Sequence, residues 1–432
     1  MLINSYFGNY RSFKDITSLS LKASTQTTYN DSLIRDFEER ILPSAVIYGA
    51  NASGKSNVIS SLNTFRSIVV SGSVSSNVPE LNNLELFPFA HSSDDKPMVF
   101  GIDFTNNGKR FIYELSILVK TFERGPRTVF FEKLDVINKK KATNLFIRHE
   151  NNVQVSVDKK ALDILELEQS FISGISQKLN ANLDSSELFL ARGFKSIING
   201  SIADDVIEFF SNKIYAITDF TLKSAALKIT SEDNLKENFA IWNDLLEGFV
   251  RGADFGPQSI RFKNKNSDEH SADMALFSLY HRGKKGVMIP SEYMESRGTL
   301  KLIDFAVAFQ TFFQKGGVFI IDEFDAALHP ELVKGIISLF NNQKYNHAGA
   351  QLVFSTHNPI YLNNKIFRRD QILFVEKDKT SYESTLYSLA DFGSVDVRND
   401  ENYLINYFKG KYSSLPFIDF SKLLIEKENS NV

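Results

Sequence analysis

The chain has 432 residues, 43% of them apolar, enough for one large or two ordinary domains with a sizeable core. A formal net charge of −3 excludes a global basic field that would draw nucleic acid or an anionic membrane to the whole surface. The absence of cysteine excludes disulfides and thiol chemistry, and with no apolar leader and no run of about 18 apolar residues the expectation is a cytoplasmic protein without a membrane span.

Met1 to Phe13 reads as a strand and turn, with a second strand near Ser18 to Leu21. The apolar run Ala45 to Tyr48 reads as a buried strand, and Gly49-Ala50-Asn51-Ala52-Ser53-Gly54-Lys55-Ser56 follows it, matching the Walker A pattern G-x-x-x-x-G-K-[ST] at every position. Such a turn, built here from Gly49, Asn51, Ala52, Ser53 and Gly54, points successive backbone N–H groups at phosphate oxygens. The helix expected from about Lys55 to Val70 adds its positive dipole end. Lys55 neutralises β/γ-phosphate charge, Ser56 is the Mg²⁺ ligand of the pattern, and Asn57 is assigned to the same nucleotide-binding set.

Ser71 to Val78 is a loop rich in Ser, Gly and Asn, and Met98 to Ile147 alternates like an antiparallel meander with a turn at Asn106-Asn107-Gly108. From Ala161 to about Phe249 the spacing becomes helical, without the heptads of a long coiled-coil arm. Strands resume at Ser259 to Phe262, a turn falls at His281 to Gly286, and a helix runs from near Gly298 through Phe313. Strand and helix then alternate through Val318–Ile321, Pro330–Phe340, Gln351–Ser355 and Ile372–Glu376, the pattern of a mainly parallel sheet with flanking helices. The 38 phenylalanines are scattered through these segments and read as core packing.

Two further strand ends carry chemistry. Val318-Phe319-Ile320-Ile321 ends in Asp322 and Glu323, where an α/β sheet delivers ligand-binding groups; Asp322 suits the Mg²⁺ shell and Glu323 suits polarising an attacking water. Leu352-Val353-Phe354 ends in Ser355-Thr356-His357, and His357 is placed to bond the γ-phosphate or that water. His329, just before the helix opened by Pro330, is a candidate for a dimer contact.

These residues together resemble a known group. The phosphate loop, Ile321-Asp322-Glu323 followed by Ala327-Leu328-His329-Pro330, and Ser355-Thr356-His357 are similar to the split ABC-type ATPase head of the RecF, SMC and OLD families. The resemblance is closest to prokaryotic AAA-family ATPases of the RloA, AbiLi, PtuA and AriA phage-defence kinds. Asn9-Tyr10-Arg11-Ser12-Phe13, Glu295-Ser296-Arg297-Gly298-Thr299, Arg368 to Ile372 and a tail near Tyr403 to Pro416 extend it over nearly the whole chain. It implies an α/β fold, an ABC-type ATPase head whose mixed sheet has flanking helices and an antiparallel β subdomain, with an inserted helical lid. The corresponding division is an N-terminal lobe 1–155, a lid 156–250 and a C-terminal lobe 251–432. It also implies that Arg11 joins the nucleotide-binding residues, and that Ser296, Gly298 and Thr299 form a signature-like loop touching the γ-phosphate held by another protomer. Ser296 or Thr299 equally suits an ordinary helix N-cap. Two departures stand out: the loop reads Glu-Ser-Arg-Gly-Thr where transporters have Leu-Ser-Gly-Gly-Gln, and no glutamine loop follows Ser56, which leaves His91 as a weak substitute.

The function so implied is a Mg²⁺-dependent ATPase acting as sensor or regulator in a bacterial anti-phage, abortive-infection system. It would work as a homodimer or higher homo-oligomer and control a separate effector, a nuclease or other toxin, with nucleic acid a further candidate partner. The alternative is a DNA-repair or chromosome-maintenance ATPase that clamps DNA, for which the basic candidates are Lys139-Lys140-Lys141, Lys284-Lys285 and Arg368-Arg369, short runs that are ordinarily solvated. A transporter subunit fits poorly, since about 240 residues separate Lys55 from the Ser296 loop. No intrinsic nuclease is expected, because about 75 residues follow His357 and Glu376, Asp396, Asp400 and Glu401 lie in or beside turn-like stretches.

Overall fold

Short apolar runs bounded by turn residues build the central sheet. Its six strands lie in the order β11 (Ile214–Ile217), β15 (Val318–Ile321), β16 (Gln351–Ser355), β5 (Ser44–Tyr48), β17 (Ile372–Lys377) and β18 (Ser384–Ser388); the first five run parallel and β18 is antiparallel at the edge. Every residue of β5, β15 and β16 is buried, as expected of parallel strands covered on both faces. This computed structural model describes residues 1–78, 81, 86–90, 96–119, 127–139, 141–181, 183–217, 248, 259–264, 274–282, 285–393, 397–398 and 401–412.

Because side chains alternate across a strand, the sheet divides two cores. Ala45 and Ile47 of β5, Val318 and Ile320 of β15 and Val353 of β16 face a core shared with the Lys55–Ser71 helix and the antiparallel sheet. Val46, Tyr48, Phe319, Ile321, Leu352 and Phe354 face the opposite core, packed with the Arg297–Phe312 and Pro330–Asn341 helices. Phe305, Phe309, Phe312, Phe313, Phe319 and Phe340 pack ring against ring there, so these phenylalanines are core residues as expected.

The second sheet is the expected meander with the N-terminal strands added, in the order β10 (Asn152–Val155), β9 (Lys141–His149), β8 (Thr128–Asn138), β7 (Lys109–Leu118), β6 (Met98–Asn106), β1 (Leu2–Gly8) and β2 (Thr17–Ser20), antiparallel throughout. Gln351 at the start of β16 joins the two sheets: its Oε1 accepts from Leu2 N at 2.7 Å and its Nε2 donates to Leu2 O at 2.8 Å. β3 (Ile34–Asp36) and β4 (Glu39–Ile41) pair as a two-stranded antiparallel sheet, and a three-stranded one, β12 (Ser259–Asn264), β13 (Met274–Arg282) and β14 (Lys285–Pro290), leads into the Arg297–Phe312 helix. Mixed sheets with flanking helices and an antiparallel subdomain agree with the expected fold class.

The segment 156–250 differs from a purely helical insertion. The Lys159–Leu165, Gln169–Ala181 and Gly200–Glu208 helices are there, with a π-helix at Leu190–Ile198. The chain then contributes β11 to the edge of the central sheet, Ile214 to Ile217 pairing with Val318 to Ile321. Four residues are too few to interrupt a helical periodicity, and the pairing partner lies about 100 residues downstream, so composition alone conceals this strand. Residues 182, 218–247 and 249–250 of that segment lie outside the described residues. Among the described residues no helix is long and apolar enough to cross a membrane.

Candidate active site

Strand β5 ends at Tyr48, and the chain turns through the phosphate loop into the Lys55–Ser71 helix. The turn needs two left-handed residues, Ala52 at φ 60° and Gly54 at φ 115°. Only glycine adopts the second without a steric penalty, and Gly54 is the N-cap of the helix. The loop is braced from outside: Ser384 Oγ donates to Ser53 O at 2.6 Å, and Asn57 Nδ2 donates to Ser12 Oγ at 2.8 Å. Arg11 reaches Asn57 Oδ1 with Nη1 at 3.3 Å, so the N-terminal turn lies against the first turn of the helix.

The loop suits a phosphate chain. Among the described residues the amides of Asn51, Ala52, Gly54, Lys55 and Ser56 donate to no backbone carbonyl, and Ser53 Oγ is buried without a partner. Unpaired donors at a helix N-terminus favour anions. Lys55 is 5% exposed and its Nζ donates to the carbonyls of Gly49 and Ala50, 2.9 Å each. Burial pulls its ammonium down to about 8, although Asp322 and Glu323 nearby act to raise it. The negative charge of a triphosphate would favour the charged ammonium that burial disfavours.

The two acids occupy the turn after β15, at the C-terminal edge of the sheet as the pattern required. Ser355 at the end of β16 holds both: its hydroxyl donates to Asp322 Oδ1, and its oxygen accepts from Glu323 N at 2.8 Å. Glu323 sits at φ 45° and is 60% exposed. His357, 44% exposed, places Nε2 3.9 Å from Glu323 Oε1, beyond hydrogen-bond reach. Burial and then the Lys55 charge depress the His357 imidazole, so it is neutral near pH 7. Asp325, two residues past Glu323, is pushed up by burial while the Thr356 hydroxyl bonds it.

Residues 51–57, Glu323 and His357 line one open cleft of about 720 Å³. Asp322 is drawn back against Ser355, and Arg11 stands behind Asn57; neither lines the cleft. Nor does the signature-like loop, which opens the Arg297–Phe312 helix. There Ser296 is the N-cap: its Oγ accepts from Thr299 N at 3.1 Å and lies 3.0 Å from Thr299 Oγ1. Ser296 is exposed, whereas Gly298 and Thr299 are buried within this chain, so Thr299 presents no side chain for an outside phosphate. His329 caps the Pro330–Asn341 helix, Nδ1 accepting from Glu331 N at 3.2 Å. His91, Asp396 and Asp400 lie outside the described residues.

Two residues that sequence reasoning passed over hold the site together. Ser355 was visible only as part of a polar triplet. Lys301 donates to Glu323 O at 2.6 Å and Ala326 O at 3.2 Å from within a largely buried helix. A lone lysine beside Leu302 and Ile303 in an apolar stretch is the signal that would have marked it.

A family profile described as "AAA domain, putative AbiEii toxin, Type IV TA system" matches residues 44–363, spanning the phosphate loop, both acids and His357. Among solved structures the chain is similar to the "SmcHead bound to the C-winged helix domain of ScpA", at 14% identity and TM-score 0.41, covering 92% of this chain and 99% of that one. It is also similar to the "SMC head domain from Thermotoga maritima", at 13% identity and TM-score 0.35, covering 90% and 98%. No curated protein matches it in sequence.

Proposed function

The chain belongs to the AAA-domain family described as putative AbiEii toxin, Type IV TA system, and from that premise we propose that it hydrolyses ATP with Mg²⁺ as a regulator in an anti-phage, abortive-infection system. One observation carries the hydrolysis: an unpaired phosphate loop, an exposed carboxylate and a neutral imidazole share one cleft. In this reading Lys55 and the loop amides bind the phosphates, Asn57 borders them with Arg11 behind it, and Ser56 would hold Mg²⁺ with Asp322 reaching it directly or through water. When bound, the ion supplies positive charge against the charge developing on the transferred phosphoryl group. Glu323 polarises the water and His357 orients it, a role open to it because it is uncharged.

The defence role draws on the family description and the resemblance of the motifs. The helices between 156 and 213 are proposed to report the nucleotide state to a separate effector in the cytoplasm. DNA clamping is the weaker reading: Arg368 is buried, its guanidinium pairing with Asp370 at 2.8 Å and bonding the carbonyls of Gln26 and Thr28, and Arg369 donates to Val397 O at 2.5 Å. That pair does not form a basic surface.

The test is phosphate release by purified protein and two variants. Lys55→Ala should lose ATP binding, and Glu323→Gln should keep binding while turnover falls on the order of 10²-fold, the scale of a general base. Near-normal turnover in Glu323→Gln would give the role of base to another group. The same variants in the native operon, scored by phage plaque counts, test the defence role; protection that survives Lys55→Ala would separate it from ATP.

A further inference from the structure

The turn bearing Glu323 is fastened to the Arg297–Phe312 helix, whose Lys301 lies 22 residues before it. Glu323 and Ala327 are both left-handed, φ 45° and 66°, conformations that L-residues adopt only at a steric cost. Something must hold them, and two contacts from the Arg297–Phe312 helix do. Gly298 lets the Ala327 carbonyl approach so closely that a Cβ at that position would collide with it. One turn further on, the buried Lys301 ammonium bonds the carbonyls of Glu323 and Ala326. Ala326 N also donates to Glu323 O at 3.0 Å, so that carbonyl accepts from both sides of the clamp.

We propose that Lys301 is a positioning residue: by clamping the Glu323 and Ala326 carbonyls it fixes the backbone conformation that presents the Glu323 carboxylate to the cleft, and makes the helix and the acid turn move as one body. An ammonium is suited to this because it offers three donors and no acceptor to a turn whose carbonyls have no ladder to join. Burial brings that ammonium down to about 8, a cost that an apolar side chain of similar length would avoid. The helix begins at the exposed Ser296, so a displacement of that end is transmitted to Glu323 through Lys301. This inference rests on the reading of Glu323 as the water-polarising base.

Two readouts separate it from that reading. The first is hydrogen exchange in the nucleotide-free protein. There, Lys301→Met should speed exchange of the amides of Phe324, Ala326 and Leu328, which bond Ser355 O, Glu323 O and Asp325 O, while the strands of the central sheet keep their protection and Lys301→Arg restores the turn. The second is turnover: in Lys301→Met, kcat should fall on the order of 10²-fold, as for a displaced catalytic group, with KM within about threefold of the wild type and partial recovery in Lys301→Arg. Unchanged exchange in the turn overturns the proposal whatever the activity, and so does loss of protection throughout the sheet in both variants, which would make Lys301 a general packing residue. A wild type that binds ATP without hydrolysing it would sink the ATPase reading alone, because the exchange result does not depend on turnover.

Discussion

Asp304 shows what a single buried charge does to this fold. It lies on the Arg297–Phe312 helix, is 8% exposed, and burial pushes its carboxyl up to about 7. The folded protein therefore keeps a proton between about pH 4 and pH 7 that the unfolded chain has released. Stability contributed by the neutral acid is fully present near pH 4, falls as pH rises toward 7, and is flat above. Asp304→Asn removes the penalty, so the variant should be more stable than wild type at pH 8 by about 2–4 kcal/mol, with the gap shrinking toward pH 4. Urea midpoints at pH 5 and pH 8 measure this, and an equal difference at both values would show that Asp304 is not the group titrating. Residues such as Lys55, Asp322 and His357 were legible in sequence because a strand end and a loop motif fix their place locally. Asp304, Lys301 and Ser355 were not, since what surrounds them comes from distant segments: the Glu323 carbonyl that Lys301 bonds lies 22 residues away and the Asp322 carboxylate that Ser355 bonds lies 33.

Elements are joined by buried polar ties that no local pattern announces. Glu132 on β8 and Arg148 on β9 are both fully buried and lie 3.6 Å apart. Glu132 accepts from Tyr113 OH at 2.9 Å and from the amides of Phe189 and Leu190 at 2.8 Å each. Arg148 donates to the carbonyls of Glu150, Asp184 and Glu187. The meander is thereby bound to the start of the π-helix, and burial raises the Glu132 carboxyl while the guanidinium beside it opposes the rise. Glu132→Ala would leave the Arg148 charge and three donors unanswered, a loss of about 3–5 kcal/mol, whereas pairing it with Arg148→Met should recover part of that. Chemical denaturation of the single and double variants checks this; a double variant no better than the single would mean the carboxylate acts only through the amides. The same non-locality explains the elements themselves. The strongly patterned strands β5, β15 and β16 were read at or within a residue of their ends, while β11 was hidden in a helical stretch because its only reason to be a strand is Val318–Ile321 beside it.

At the scale of the whole molecule the cleft is open on one side. The phosphate loop, Glu323 and His357 line it, but the Ser296 loop of the same chain does not, although it begins a 16-residue helix whose N-terminus suits an anion. Beside that loop Tyr293 and Met294 are 78% and 50% exposed, large apolar side chains on a face that a monomer gains nothing by showing to water. A second copy related by a two-fold axis would place each Ser296 loop over the other's nucleotide, closing both sites at once. In the proposed reading ATP would then join the heads through its γ-phosphate and hydrolysis would release them, which would give an effector two assemblies to distinguish. Glu323→Gln with ATP should therefore form a dimer or larger species that ADP does not support. Ser296→Arg added to it should abolish that species, because bulk and positive charge would replace the Ser296 hydroxyl at the shared phosphate and the cap on Thr299 N would go with it. Sedimentation velocity of both variants with each nucleotide measures this directly. If all four samples sediment alike, the heads do not associate through nucleotide, and the open cleft must be closed by a different partner.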